Sequence, residues 1–242
     1  MNGTVIGILG NTFDYSNSMY QGVEKQYVNS RYVTAVEQNG GVPLLIPYLT
    51  ADEKLYRLLD LCDGLLFPGG EDVDPGNYGE EPHSRLGEIK PEIDKFLIKA
   101  IRYAIEKEIP SMGICKGMQM MVVVTGGSLY QDMYHQREEE SYLHCQYGKR
   151  DYELHTVEIE KDTHLYGILG TDSIRTNSMH HQSVKNTGNI MRVSAKAGDG
   201  VIEAMESSDG LFIGVQWHPE EMIDSSEKMN LLFKNLVERA AK

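Results

Sequence analysis

Cysteine is scarce: the 242-residue chain has three, Cys62, Cys115 and Cys145. An odd and sparse set excludes a disulfide scaffold and fits a reducing compartment. No apolar run approaches the ~18 residues that would suggest a membrane span. The first basic residue is Lys25, so no charged region precedes the short apolar stretch Val5 to Leu9, and a secretory signal is not expected. Basic residues are in deficit, with 23 Lys and Arg against 36 Asp and Glu, for a net charge of −13. That balance leaves no basic footprint, so neither nucleic acid nor an anionic membrane is an expected partner. Internal repeats, low-complexity tracts and Pro/Ser-rich linkers are missing as well. What is there is 40% hydrophobic, enough for a sizeable core. The expectation is one globular, cytoplasmic domain over residues 1–242.

The hydrophobic pattern alternates short apolar runs with helical periods. Strands are expected at 4–9, 42–46, 64–67 and 110–114, the third ended sharply by Pro68-Gly69-Gly70. A polar loop follows the first strand. Helices are expected at about 23–38, 51–61, 91–107 and from Lys116 to Thr125-Gly126-Gly127. Such alternation predicts an α/β fold, with a mainly parallel central sheet and helices on both faces. After Leu129 the character changes. Residues 132–152 are rich in Tyr, His and charge, without a clear period. Strand-like pieces at 155–159, 190–195, 201–205 and 211–216 suggest a small antiparallel extension, and an amphipathic helix over about 226–240 closes the chain.

The strongest chemical signal is Gly113-Ile114-Cys115-Lys116-Gly117. A nucleophile between small residues, at a strand-to-helix junction, is a nucleophile-elbow pattern. The following helix aims free N–H groups at the sulfur, which favours thiolate. Buried structural cysteine is the commoner fate, and Cys62, at a helix end, fits that reading. A cysteine nucleophile needs a base and a group to orient it. His218 follows a buried-looking strand, and Glu220, two residues on, is close enough to accept its second ring N–H. The Pro68-Gly69-Gly70 turn offers backbone N–H groups for an oxyanion, with the Lys116 N–H as the second donor. His135, His144, Cys145 and His155 share one irregular segment. Their spacing matches no zinc pattern, so no metal is expected.

These motifs, taken together, resemble the class I glutamine amidotransferase-like superfamily. Within it the chain resembles the γ-glutamyl-γ-aminobutyrate hydrolase family of cysteine peptidases. The likeness runs through Pro68-Gly69-Gly70-Glu71-Asp72-Val73-Asp74-Pro75, Gly113 to Gln119 and Gly126 to Asp132. It continues in Asn177-Ser178-Met179-His180-His181-Gln182, Asp199 to Ala204 and Gly214-Val215-Gln216-Trp217-His218-Pro219-Glu220. The resemblance implies a flavodoxin-like core, a Cys115–His218–Glu220 triad, and hydrolysis of a small γ-glutamyl compound without a cofactor. It also implies an oxyanion hole from the Gly70 and Lys116 backbone, a γ-glutamyl contact from Gln119, and His181 and Gln182 at the border of the site. Lys116 stands where the family usually has Arg, and Val122 where it often has Asn. Two other readings stay open: a glutaminase subunit that passes ammonia to a separate synthetase, and a non-catalytic binding protein on the same fold. A homo-oligomer is also left open.

Overall fold

The computed structural model describes residues 3–14, 22–139 and 141–241. Within them a nine-stranded sheet runs in the order Val42–Ile46, Val5–Leu9, Gly64–Phe67, Ser111–Ile114, Phe212–Val215, Ile202–Ser207, Met191–Ala197, His155–Ile159, Ser173–Thr176. The first five strands pair in parallel, and the remaining pairings are antiparallel. Numbered along the chain, the parallel strands lie 2-1-3-4-5, the flavodoxin-like order. The expected α/β class, parallel core and antiparallel extension all describe the structure. Two small antiparallel pairs stand apart from the sheet, Asn11–Asp14 with Glu24–Tyr27 and Ser128–Tyr130 with Ser183–Asn186.

Gly64–Phe67 and Ser111–Ile114 are buried at every position because helices cover both faces. Tyr32, Ala35 and Val36 of helix Ser30–Gln38 share one core cluster with Leu232, Phe233 and Leu236 of helix Glu227–Ala240. Helices Asp52–Leu59, Pro91–Glu106 and Lys116–Val124 build the second cluster. Val122 is buried in it and leaves no room for a side chain at Gly127, where a Cβ would lie 2.4 Å from its Cγ1.

The largest departure from the sequence expectation lies near the amino end. The helix expected from about Val23 starts only at Ser30, and Glu24–Tyr27 is a strand with every residue exposed. Asn29 sets this boundary: its side chain accepts the Arg31 N–H and caps the helix. Of the polar loop expected after the first strand, residues 11–14 instead form the partner strand, and residues 15–21 lie outside the described part.

Candidate active site

In a doubly wound sheet the crevice for a ligand opens at the carboxyl ends of the strands, where the strand order reverses. Here the chain places Leu9 and Gly10, Pro68 to Gly70, Cys115 and His218 at successive strand ends, around a cavity of about 340 Å³.

Cys115 joins strand Ser111–Ile114 to helix Lys116–Val124 with φ +50° and ψ −108°. That backbone is strained for a residue with a Cβ. Its neighbours show why the turn can be so tight. A Cβ on Gly113 would lie 2.7 Å from the Gly117 carbonyl carbon and the Met118 nitrogen, and one on Gly117 only 2.0 Å from the Phe67 carbonyl oxygen. The elbow therefore presses directly against the end of the adjacent strand.

His218 is buried in contact with Cys115 and donates from Nδ1 to Glu220 Oε1 at 2.7 Å. Burial opposes charge on the ring, yet Glu220 and Cys115 raise it to about 10. Its backbone is pinned on both sides by Asn177, which accepts the His218 N–H and donates to the His218 carbonyl, each at 2.9 Å. The glycine pair sits against these groups. A Cβ on Gly69 would come 2.8 Å from His218 Cε1. The Gly69 N–H donates to the Tyr32 hydroxyl at 3.0 Å, which points to Gly70 as the donor facing the cavity. Burial and the nearby Glu220 raise the Tyr32 hydroxyl well above its ordinary value and keep it neutral.

Lys116 turns its side chain away from this chemistry. Its Nζ pairs with Asp94 Oδ1 at 2.7 Å, both side chains buried, and donates to the Asp72 carbonyl. Asp94 Oδ2 accepts the Asp74 N–H at 2.8 Å and the Asn77 amide at 3.0 Å. The residue after Cys115 thus braces the loop over 71–90.

The structure brings Cys115, His218, Glu220, Gly70 and Lys116 together around the cavity. Gln119, His181 and Gln182 are not among its lining residues. Gln119 Nε2 donates to the Gln182 carbonyl at 3.2 Å and to Gln216 Oε1 at 3.1 Å, both within the buried interior. Gln182 Oε1 accepts the Val73 N–H at 2.8 Å, and His181 Nε2 meets both oxygens of Asp72 at 2.9 Å. Met179 is the residue of that segment that reaches the cavity, and Arg150 does so from the irregular segment. Sequence reasoning missed Tyr32, Asn11 and Arg150 as wall residues. Tyr32 sits at core spacing in its helix, so its period shows the ring and hides the hydroxyl. Arg150 falls in a segment with no period.

The Peptidase C26 family model matches residues 4–220. The chain belongs to that family, a class of hydrolases. It is 35% identical to Protein NtpR of Enterococcus hirae over 97% of this chain and 98% of that protein. It is 31% identical to gamma-glutamyl-gamma-aminobutyrate hydrolase PuuD of Escherichia coli K12, over 98% of this chain and 93% of that protein. Among solved structures, a Thermoplasma acidophilum protein provisionally described as part of a GMP synthase shares the fold, with TM-score 0.67, 18% identity, and coverage of 100% of this chain and 96% of that one. No helix among the described residues is long and apolar enough to cross a membrane.

Proposed function

We propose that the protein hydrolyses the γ-glutamyl amide bond of a small γ-glutamyl compound through a thioester on Cys115. One observation carries the reading: a cysteine in a positive-φ elbow touches a histidine that is itself held by a buried carboxylate at 2.7 Å, beside a cavity of small-molecule size. The family membership and the relative named as a γ-glutamyl-γ-aminobutyrate hydrolase support it.

In this mechanism the Cys115 sulfur attacks the γ-carbonyl carbon while His218 holds the proton. The new C–S bond leaves an oxyanion that accepts hydrogen bonds from the Gly70 and Lys116 N–H groups. Collapse breaks the C–N bond, and His218 gives its proton to the departing amine. Water then attacks the thioester with His218 as base. Glutamate leaves, and the thiol is restored. Glu220 orients His218 and stabilises its charge throughout.

Arg150 supports a substituted amide over free glutamine. It lines the cavity and donates to Glu221 Oε1 at 2.8 Å, and its guanidinium has further donors for a substrate carboxylate. A remote contact of this kind raises the rate only if it is realised in the transition state, so kcat/KM is the quantity to compare. The test is glutamate release from a panel of γ-glutamyl amides, with Cys115→Ala as control. Substituted amides with a small acidic chain are expected to exceed glutamine. If glutamine gives the highest kcat/KM, the protein is instead a glutaminase serving a separate synthetase. An inactive panel would leave a binding protein on this fold.

A further inference from the structure

Four side chains that this hydrolysis does not use converge in the antiparallel half of the molecule. His144 lies in the irregular segment, His155 opens strand His155–Ile159, His180 lies between strands Ser173–Thr176 and Ser183–Asn186, and Glu203 is in Ile202–Ser207. The side chains of His144 and Glu203 are fully buried, and those of His155 and His180 are 7% and 2% exposed. Glu203 Oε1 stands 3.1 Å from His144 Nδ1, 3.6 Å from His155 Nε2 and 3.7 Å from His180 Nε2. None of these approaches is aligned as a hydrogen bond. Both oxygens of Glu203 and the Nε2 atoms of His155 and His180 are buried without a hydrogen-bond partner. Such orphaned atoms are rare inside proteins and call for a physical reason.

The far side of each ring is already engaged. His144 Nε2 meets Asp199 Oδ2 at 3.0 Å, His180 Nδ1 meets the Gln182 carbonyl at 3.0 Å, and His155 Nδ1 faces the Thr156 carbonyl at 3.4 Å. A carbonyl oxygen only accepts, so in His155 and His180 the proton sits on Nδ1 and Nε2 turns a lone pair toward Glu203. A distal N–H given to a carbonyl, with the near nitrogen left bare, as in His155 and His180, is the outer-shell pattern of metal-ligating histidines, while His144 Nδ1 also faces Ser178 Oγ at 3.4 Å. Ligands bound about 2.1 Å from a tetrahedral ion lie about 3.4 Å from one another. The three separations from Glu203 Oε1 straddle that value, and the ligating atoms of His144, His155 and Glu203 fall within 4.8 Å of one another.

We infer that His144, His155 and Glu203 form a binding site for a divalent transition-metal ion of the zinc type, and that His180, whose Nε2 lies 3.7 Å from Glu203 Oε1 but outside that mutual 4.8 Å set, closes on the ion as the fourth ligand. Imidazole and carboxylate donors suit that ion. Four protein ligands leave no position open to substrate, so its role is structural. The ion joins four separate stretches of chain. One of them, the segment from Asn177 to Gln182, holds the His218 backbone at one end and the Val73 N–H at the other.

Tag-free protein, stripped of metal by chelation, is titrated with Zn²⁺ against a chromophoric chelator and with Co²⁺ by absorption spectroscopy. One ion per chain and the d–d bands of tetrahedral Co²⁺ are expected. Both persist in Cys115→Ala, which removes the thiol of the active-site cavity. His155→Ala and His180→Ala each weaken binding by at least about 100-fold, and Asp199→Asn by about 10- to 100-fold. Should the alanine variants not fold, imidazole ¹⁵N resonances of the wild-type protein decide: Zn²⁺ shifts those of His144, His155 and His180 but not that of His218. No uptake overturns the inference. So does uptake that survives His155→Ala and is lost in Cys115→Ala.

Discussion

At the scale of single residues, the three cysteines are separated by their surroundings. Cys62 is buried, its Sγ directed at the Leu58 carbonyl, and burial together with Asp63 pushes its thiol up to about 12. Cys145 is exposed. Cys115 stands at a helix start against His218, a setting that makes a thiol reactive. Brief treatment with iodoacetamide at neutral pH is therefore expected to label Cys115 first and Cys62 last, read by mass spectrometry of the peptides. Labelling of Cys145 ahead of Cys115 would count against an activated thiol. Turnover separates the triad further. In the proposed mechanism Cys115→Ala and His218→Ala remove the nucleophile and the proton carrier, so each is expected to abolish glutamate release. Glu220→Gln keeps the geometry and loses the charge, so a small fraction of activity remains. Equal and mild losses in all three variants would refute the assignment.

At the scale of elements, the elbow and the loop over 71–90 lock each other in place. Gly117 abuts the Phe67 carbonyl at a distance no Cβ tolerates, so Gly117→Ala must push the helix from the strand end. A loss of about 3 kcal/mol or more is expected in urea unfolding, at the upper end for overpacking. The Lys116–Asp94 pair is buried on both sides. Asp94→Ala would strand an ammonium in the interior and expose the loop's backbone donors, at a cost of about 3–5 kcal/mol. Asp94→Asn, which can still accept those donors, is expected to cost less. A loss under about 1 kcal/mol from the alanine, the scale of an exposed pair, would show that the loop is held by something else. The elements themselves were legible in the sequence where burial imposes a period. Strands Gly64–Phe67 and Ser111–Ile114 appear where the apolar runs stand, and Cys115 was visible because an elbow requires small residues on both sides. The strand Glu24–Tyr27 was not legible, because it is exposed and polar throughout and carries no alternation. The loop over 71–90 was silent for a related reason: it is held by side chain to backbone bonds from Asp72, Asp94 and Gln182, which leave no periodic trace. The convergence of His144, His155 and His180 on Glu203 joins positions far apart in the chain, so local spacing could not show it.

At the scale of the whole molecule, the sheet divides the work. Its parallel half carries the strand ends that supply Cys115 and the glycine turn, while the antiparallel half supports the segment that pins His218. His218 is thereby tied to the stability of the entire fold, and the tie has a definite pH signature. In the folded chain His218 holds its proton up to about 10, because Glu220 and Cys115 outweigh the penalty of burial. In the unfolded chain an ordinary histidine releases it near 6.5. Between those values the folded state binds the extra proton, so stability falls as pH rises. The contribution is fully present below about pH 6.5 and is gone once pH has passed about 10. Buried tyrosines such as Tyr32 act in the same direction but only above their own ordinary value near 10, so a decline between pH 7 and 9 is not theirs. Tm measured by calorimetry across pH 6 to 10 is expected to drop through this window in the wild-type protein. Glu220→Gln removes the strongest support for the proton and should make that decline shallower, while His144, which Asp199 and Glu203 also raise, keeps its own share. A wild-type Tm that is level from pH 6.5 to 9.5, or an equally steep fall in Glu220→Gln, would show that His218 is not held as a cation by Glu220.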